Sequence, residues 1–456
     1  MPAHPAHLFN RRHLKRSHEP TPLFAVVANE RGEIFDLEGF AAVGADGACL
    51  TPLTVSDTIS LPHGSELMFL PDRVPLLMDL STGTIRPVSH HPRFHQQRIF
   101  PVAAFNSPGV VLTHTCAHKV DEANENAPAL PLFAYGAVGW SKNRFRCAAL
   151  VVDTEPRQDL RQMPRDKVLF GVEAMRRKLP DNRLARHLEH CALTYGCPAG
   201  KNFFLGRYEA PLPTSRACNA RCLGCISLQR NPALISSQNR ISFTPSPREI
   251  AEVALSHIRR VKKSVVSFGQ GCEGDPLMAA RVIRPAILRI RKETTAGTLN
   301  LNTNASLPHV LESLLDAGLD SIRVSLNSVR EPLYRAYFRP KGYEFSHVLE
   351  SIDMALSKGI HVAVNYLNCP GVTDAPEEVD ALFAFLERHP IHLIQWRNLN
   401  FDPRLYQSLM SAAAPLGPPV GMAMLIKRVR AHFPRLCHGY FNPPKEHFSP
   451  NPTPSS

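Results

Sequence analysis

From about residue 200 to about residue 400 the chain alternates strand-like and helix-like segments, and this alternation limits its fold more than anything else in it. The strand candidates are FFLGRYEAPL, SVVSF, TLNLNT, SIRVSL, HVAVNYL and HLIQWRNL. Between them lie amphipathic stretches with start and stop signals. Ser246, Pro247 and Glu249 form a capping box with proline in the first turn, ahead of PREIAEVALSHIRRVKK. A helix near 277–293 follows. Ser306 and Pro308 open the next helix and Gly318 closes it; Ser346 caps SHVLESIDMALSKG, closed at Gly359. Pro376, Glu377 and Glu378 occupy a further first turn, where the helix dipole favours carboxylates. Six strands alternating with helices predict a parallel sheet. The expected class is α/β, a partial (β/α)6 TIM-like barrel, with ligands at the carboxyl ends of the strands.

Where the first strand should end stands CNARCLGC, with Cys218, Cys222 and Cys225 inside eight residues. Thiolates are the usual ligands of iron–sulfur clusters. Three local sulfurs leave one iron of a cubane without a nearby protein ligand. A structural zinc knot wants four closed ligands, and no fourth Cys or His lies in this loop. The CxxxCxxC spacing resembles the signature of the radical S-adenosylmethionine (SAM) enzymes. That resemblance implies a [4Fe–4S] cluster on Cys218, Cys222 and Cys225 and SAM on the open iron. It also implies reductive cleavage of SAM to a 5′-deoxyadenosyl radical that abstracts hydrogen from a substrate.

Further stretches resemble the branch containing the molybdenum cofactor biosynthesis protein A and the peptide maturases. GQGCEGDPL (269–277) is similar to its glycine-rich GGEP-like motif, with Glu273 in place of a glycine and Asp275 at the acidic position. LNTNAS, RVSLNS and HVAVNYLNCPGVTD resemble its later strand ends. The resemblance places Gly271, Glu273, Gly274, Asp275, Thr303, Asn304, Ser325, Asn327, Asn365 and Val372 around SAM. Hydroxyls and amides, which both donate and accept, suit a ribose and an amino-acid head. Cys272 is not needed as a cluster ligand, because Cys225 supplies the third sulfur. The resemblance covers about residues 200–400. The Cys-rich extension of many of those relatives is missing, with only Cys369 and Cys437 beyond the core. That argues against transferring precursor cyclisation or peptide maturation directly.

Substrate contacts are expected from QWRNLNFDP (395–403), with Gln395, Arg397 and Asn398 as candidate catalytic residues and Asn400 close by. Alternation turns Gln395 and Arg397 to one face, and arginine there can clamp a carboxylate or phosphate. A structural ion pair is the competing role. The substrate expected is an unknown one, a peptide or protein first, RNA second, with a non-catalytic iron–sulfur scaffold or sensor as the third reading. A low-potential electron donor such as a flavodoxin or ferredoxin is implied by the resemblance.

The 456 residues suggest more than one domain. The expected organisation is a basic disordered tail over 1–22, a β-rich domain over 23–165, a helical connector over 166–199, the core over 200–405, and a C-terminal extension over 406–456 ending in disordered SPNPTPSS. No apolar run is long enough for a membrane span, and the basic start (Arg11, Arg12, Lys15, Arg16) lacks an apolar stretch, so the expected location is cytoplasmic. The net charge of +12 permits a nucleic-acid partner, but no aromatic–basic ladder accompanies it, and a solvated basic surface is the favoured reading. Eleven dispersed cysteines do not form a small disulfide scaffold. Cys191 and Cys197 are weighed as an auxiliary site together with Cys116 or Cys147, against the default of buried thiols. His90, His91 and His95, and His114, Cys116 and His118, have spacings that can hold a metal, although loop histidines with no ligand role are commoner.

Overall fold

The computed structural model describes residues 21–121 and 127–448. The basic tail, all but its last two residues, and the Pro-rich end lie outside these. The core is a seven-stranded parallel sheet in sequential order: β1 (Glu209–Pro211), β2 (Val265–Phe268), β3 (Thr298–Thr303), β4 (Ser321–Leu326), β5 (His361–Asn368), β6 (Leu393–Asn398) and β7 (Cys437–Gly439). Among the described residues β1 and β7 are the two edges, so the barrel is partial. The crossovers are helical: α4 (Pro247–Ile258), α5 (Ala280–Glu293), α6 (Pro308–Asp316), α7 (Glu331–Phe338), α8 (Phe345–Ser357), α9 (Pro376–Arg388), α10 (Pro403–Ala413) and α11 (Met422–His432).

The strands have two chemically different faces. Val266, Phe268, Leu299, Leu301, Ile322, Val324, Val364 and Trp396 belong to the apolar core under the helices. The residues between them are Ser267, Asn300, Asn302, Arg323, Ser325, Asn365, Gln395 and Arg397. Period-two alternation therefore gives a dry outer face and a polar inner one. A parallel sheet covered on both sides would be apolar on both, so the inner face is built for something polar.

Several local expectations change. FFLGRYEAPL is not one strand: Pro198–Leu205 is a helix, α3, closed by Gly206 at φ 67°, and only Glu209–Pro211 is extended. Proline at its first turn and glycine just past its end mark this helix. Leu307, not Ser306, precedes α6, and α8 starts at Phe345 after Glu344, not after Ser346. Six strands become seven because Cys437–Gly439 returns to pair with β6. The capping box at Ser246 and Glu249 is present. The connector is two helices, with Pro180 falling between α1 (Arg165–Lys178) and α2 (Arg183–Leu193).

The described residues between 24 and 151 form antiparallel sheets. One hairpin turns at Lys142 and Asn143, both in the left-handed region at φ 50° and 57°. This region docks at the carboxyl ends of β5 and β6. The Asn398 side chain accepts from Leu112 N–H and donates to the Val110 carbonyl, both at 2.9 Å. Arg404 donates to the His118 carbonyl at 2.7 Å. Gly371 (φ 85°) meets Gly47 so closely that a Cβ would stand 1.9 Å from the Gly47 nitrogen.

Beside that contact Asp46 faces Asp374. Burial, then the Asp374 charge, pushes Asp46 up to about 8; burial raises Asp374 to about 6. Between the ordinary carboxyl value of about 4 and the raised one, the unfolded chain ionises while the folded chain keeps its proton. The pair's contribution is thus full in acid and lost as pH rises through about 8. Asp46→Asn should be more stable than the wild type by about 2 kcal/mol near pH 8.5, with the gain fading toward about pH 5. Denaturant unfolding across that range checks it.

Candidate functional site

The loops after β1 and β2 have no strand ladder to satisfy their backbone, and they satisfy each other. Gly274 N–H donates to the Ser215 carbonyl at 2.7 Å and Asp275 N–H to the Ala217 carbonyl at 2.9 Å. A Cβ on Gly274 would fall 1.9 Å from the Ala217 oxygen, so only glycine permits this approach. The Glu273 carboxylate lies at the centre. It accepts from Thr214 N–H (2.7 Å), Ser215 N–H (2.8 Å), Gly269 N–H (2.7 Å) and Gln270 N–H (2.8 Å). Burial pushes this carboxyl up to about 7, and the backbone donors pull the other way.

Asp275 repeats the device one strand further on. It accepts from Thr303 Oγ1 (2.9 Å), Asn304 N–H (2.7 Å) and Leu277 N–H (3.0 Å). Burial raises it to about 6. The Asn304 side chain then donates to Asn219, between the first two loop cysteines, at 2.8 Å. Gly271 lies against Ile226, just past the third.

Thus held, Cys218, Cys222 and Cys225 line one cavity of about 760 Å³, within the rough 300–1,000 Å³ range of small-molecule sites. Burial pushes the Cys218 thiol up to about 11 and Cys222 well above its ordinary value. Without a metal both are neutral, and metal binding must release their protons. Among the described residues these three sulfurs are not a group converging within 4.8 Å. The same cavity is lined by Arg221, Arg230, Arg240, Arg335, Arg339 and Lys341. Arg240 also donates toward the Cys225 sulfur at 3.6 Å and to Ser227 Oγ at 3.2 Å.

The inner face of the sheet supplies the second half of the site. Ser325 is register-paired with Asn365, and Asn365 with Gln395. Asn365 Oδ1 is buried with no hydrogen-bond partner among the described residues. Gln395 donates to Asn442 Oδ1 at 3.0 Å and accepts from Arg323 at 3.3 Å. Arg397 donates to the Tyr440 carbonyl at 2.7 Å, with its guanidinium 3.7 Å from that ring's centroid. Burial, then the charge of Arg397, lowers Arg323 to about 9. The Glu209 carboxylate acts on Arg323 in the opposite sense, so this polar interior holds charges of both signs.

Other expected site residues have structural duties. Glu273, Asp275, Thr303 and Asn304 spend their side-chain hydrogen bonds joining the loops rather than facing a ligand. Asn327 is turned away, donating to the Leu333 carbonyl and to Tyr406 Oη, both at 3.1 Å. Val372 is buried beside the docking contact at Gly371. Both ends of the Asn398 amide are engaged by the β-rich region. The auxiliary-site expectation changes too. Cys116 and Cys147 are buried within the antiparallel region, both raised to about 12 mainly by burial. Cys191 instead meets His187 and Cys272. His114, Cys116 and His118 do not share one strand, since the strand breaks at Ala117, and His91 caps the turn at Arg93 and Phe94. Arg240 and Asn442 had no local signal, whereas Arg323 stands two residues before Ser325 and its face was readable by alternation. Gly274→Ala should push the cysteine loop aside and lower iron incorporation at least roughly tenfold, with helix content unchanged; iron per chain and circular dichroism check both.

Residues 212–386 match the Radical SAM superfamily. A GTP 3′,8-cyclase of Heliobacterium modesticaldum is 30% identical over 178 residues, 39% of this chain and 50% of that one. The FeMo cofactor biosynthesis protein NifB of Klebsiella pneumoniae is 27% identical over 179 residues, 36% of this chain and 38% of that one. The chain thus spans about half the length, or less, of these relatives. Among solved structures, Streptococcus suis SuiB aligns with a TM-score of 0.37 at 12% identity, covering 57% of this chain and 54% of SuiB. Proteins of the superfamily bind a [4Fe–4S] cluster and SAM. Residues 212–386, which begin just before the three-cysteine loop and end near the close of α9, are a radical SAM domain.

Proposed function

We propose that this chain is a radical SAM enzyme acting on a substrate that carries negative charge. Cys218, Cys222 and Cys225 would hold the cluster, and Ser325 and Asn365 would face SAM. Together these cofactors supply a 5′-deoxyadenosyl radical by reductive cleavage, for hydrogen abstraction from the substrate. The observation that carries the reading is the set of three thiols on one cavity wall, surrounded by cations. Positive charge stabilises a thiolate-ligated cluster and its reduced form. A low-potential one-electron donor of the flavodoxin or ferredoxin type would supply the reducing equivalent.

The chain's own residues orient the substrate and keep water out. Arg397 has its stem and one face fixed by Tyr440, while its Nε is buried without a partner among the described residues. It is the group we assign to clamping a substrate carboxylate or phosphate. We favour a peptide or protein over RNA. The β-rich region is bolted to the carboxyl ends of β5 and β6 through Asn398 and Arg404, where a recognition domain would sit. Its location among the described residues adds one restriction: no helix there is long and apolar enough to cross a membrane.

Anaerobic reconstitution should load about four irons per chain and, with a reductant, convert SAM to 5′-deoxyadenosine. A Cys218/Cys222/Cys225 triple alanine should do neither; full iron loading in that variant would remove the assignment. Arg397→Ala should keep wild-type iron content while turnover on the true substrate falls roughly 100-fold. Unchanged turnover would place Arg397 outside the site.

A further inference from the structure

Outside the three-cysteine loop, one further group of ligand atoms converges. His187 and Cys191 stand four residues apart on α2, and so on one helix face. Cys272 comes from the loop after β2. His187 Nε2 is 3.5 Å from the Cys272 sulfur and 3.5 Å from the Cys191 sulfur, and all three ligand atoms lie within 4.8 Å of one another. Among the described residues this is the group of three His, Cys, Asp or Glu ligands at single-ion distance. Cys191 and Cys272 are buried and His187 is half-buried.

One imidazole nitrogen can meet two thiols by hydrogen bonding only through a shared, three-centre bond. A single ion accounts for all three contacts at once. With Zn–S about 2.3 Å and Zn–N about 2.0–2.1 Å, a tetrahedron puts nitrogen and sulfur about 3.5 Å apart. We infer that His187, Cys191 and Cys272 bind one zinc ion, with solvent at the fourth position beside the half-buried histidine. Two thiols and an imidazole form a soft donor set that suits zinc over magnesium or calcium. Binding would release the thiol protons and strap α2 to the 269–276 loop, whose Gly274 carries the cysteine loop.

The test uses the full chain. In the Cys218/Cys222/Cys225 triple alanine, so that the cluster thiols cannot compete, Co²⁺ is titrated anaerobically. The expected result is about one cobalt per chain with the intense visible bands and thiolate charge transfer of a tetrahedral site, bleached by stoichiometric Zn²⁺. In wild-type protein with a reconstituted cluster, zinc should be found at about one per chain beside the iron. Cys272→Ser and His187→Gln should each weaken cobalt binding at least roughly 100-fold. If Cys272→Ser does not fold, His187→Gln, on a half-exposed helix face, decides. The inference is overturned by absence of a tetrahedral cobalt spectrum, by cobalt binding that survives His187→Gln unchanged, or by a Cys191–Cys272 disulfide in metal-free protein. None of these would touch the cluster assignment, which rests on three other cysteines.

Discussion

A single buried carboxylate organises the functional end of this molecule. Glu273 accepts four backbone N–H groups, two from the loop after β1 and two from the loop after β2. Irregular loops cannot be buried with their donors unmet, and these loops have no ladder of their own. One carboxyl group meeting several donors at once replaces the missing strand. Without it, each orphaned donor would cost about 1–3 kcal/mol. With it, the loops close until Gly274 rests on Ala217, and the cysteine loop has one position available.

The inner face of the barrel shows the opposite logic. Arg323, Gln395, Arg397 and Asn365 are sequestered with fewer partners than they can use, and Asn365 Oδ1 and Arg397 Nε have none among the described residues. Two cations in one low-dielectric space repel each other. A fold selected for stability alone would put aliphatic residues here, as it does on the other face of the same strands. The unmet valences are intelligible as one half of a contact whose other half is a ligand.

How much of this was legible depends on the range of the signal. The βα alternation, the capping box at Ser246, the Lys142–Asn143 turn and the cysteine spacing are local patterns, and local physics produces them. The helix α3 was equally local but was hidden by an apolar, aromatic run that reads as a strand. By contrast, nothing near Asn398 announces that its amide joins a strand 286 residues earlier in the chain. Nor does anything near Glu273 announce four donors. Its departure from glycine was visible in the sequence; its purpose was not, because the partners come from other loops. His187 and Cys191 show an intermediate case. Their spacing of four was on the page, but the third ligand belongs to a different element.

Asn442 belongs to the segment that follows β7. Its side chain touches Gln395, Glu209, Ser267 and Asn302, and its carbonyl accepts from Arg157. One amide thus links groups from β1, β2, β3 and β6. During synthesis, every one of those strands leaves the ribosome before this residue does. The link that joins these four strands through their polar face can therefore close only after the last of them has been made.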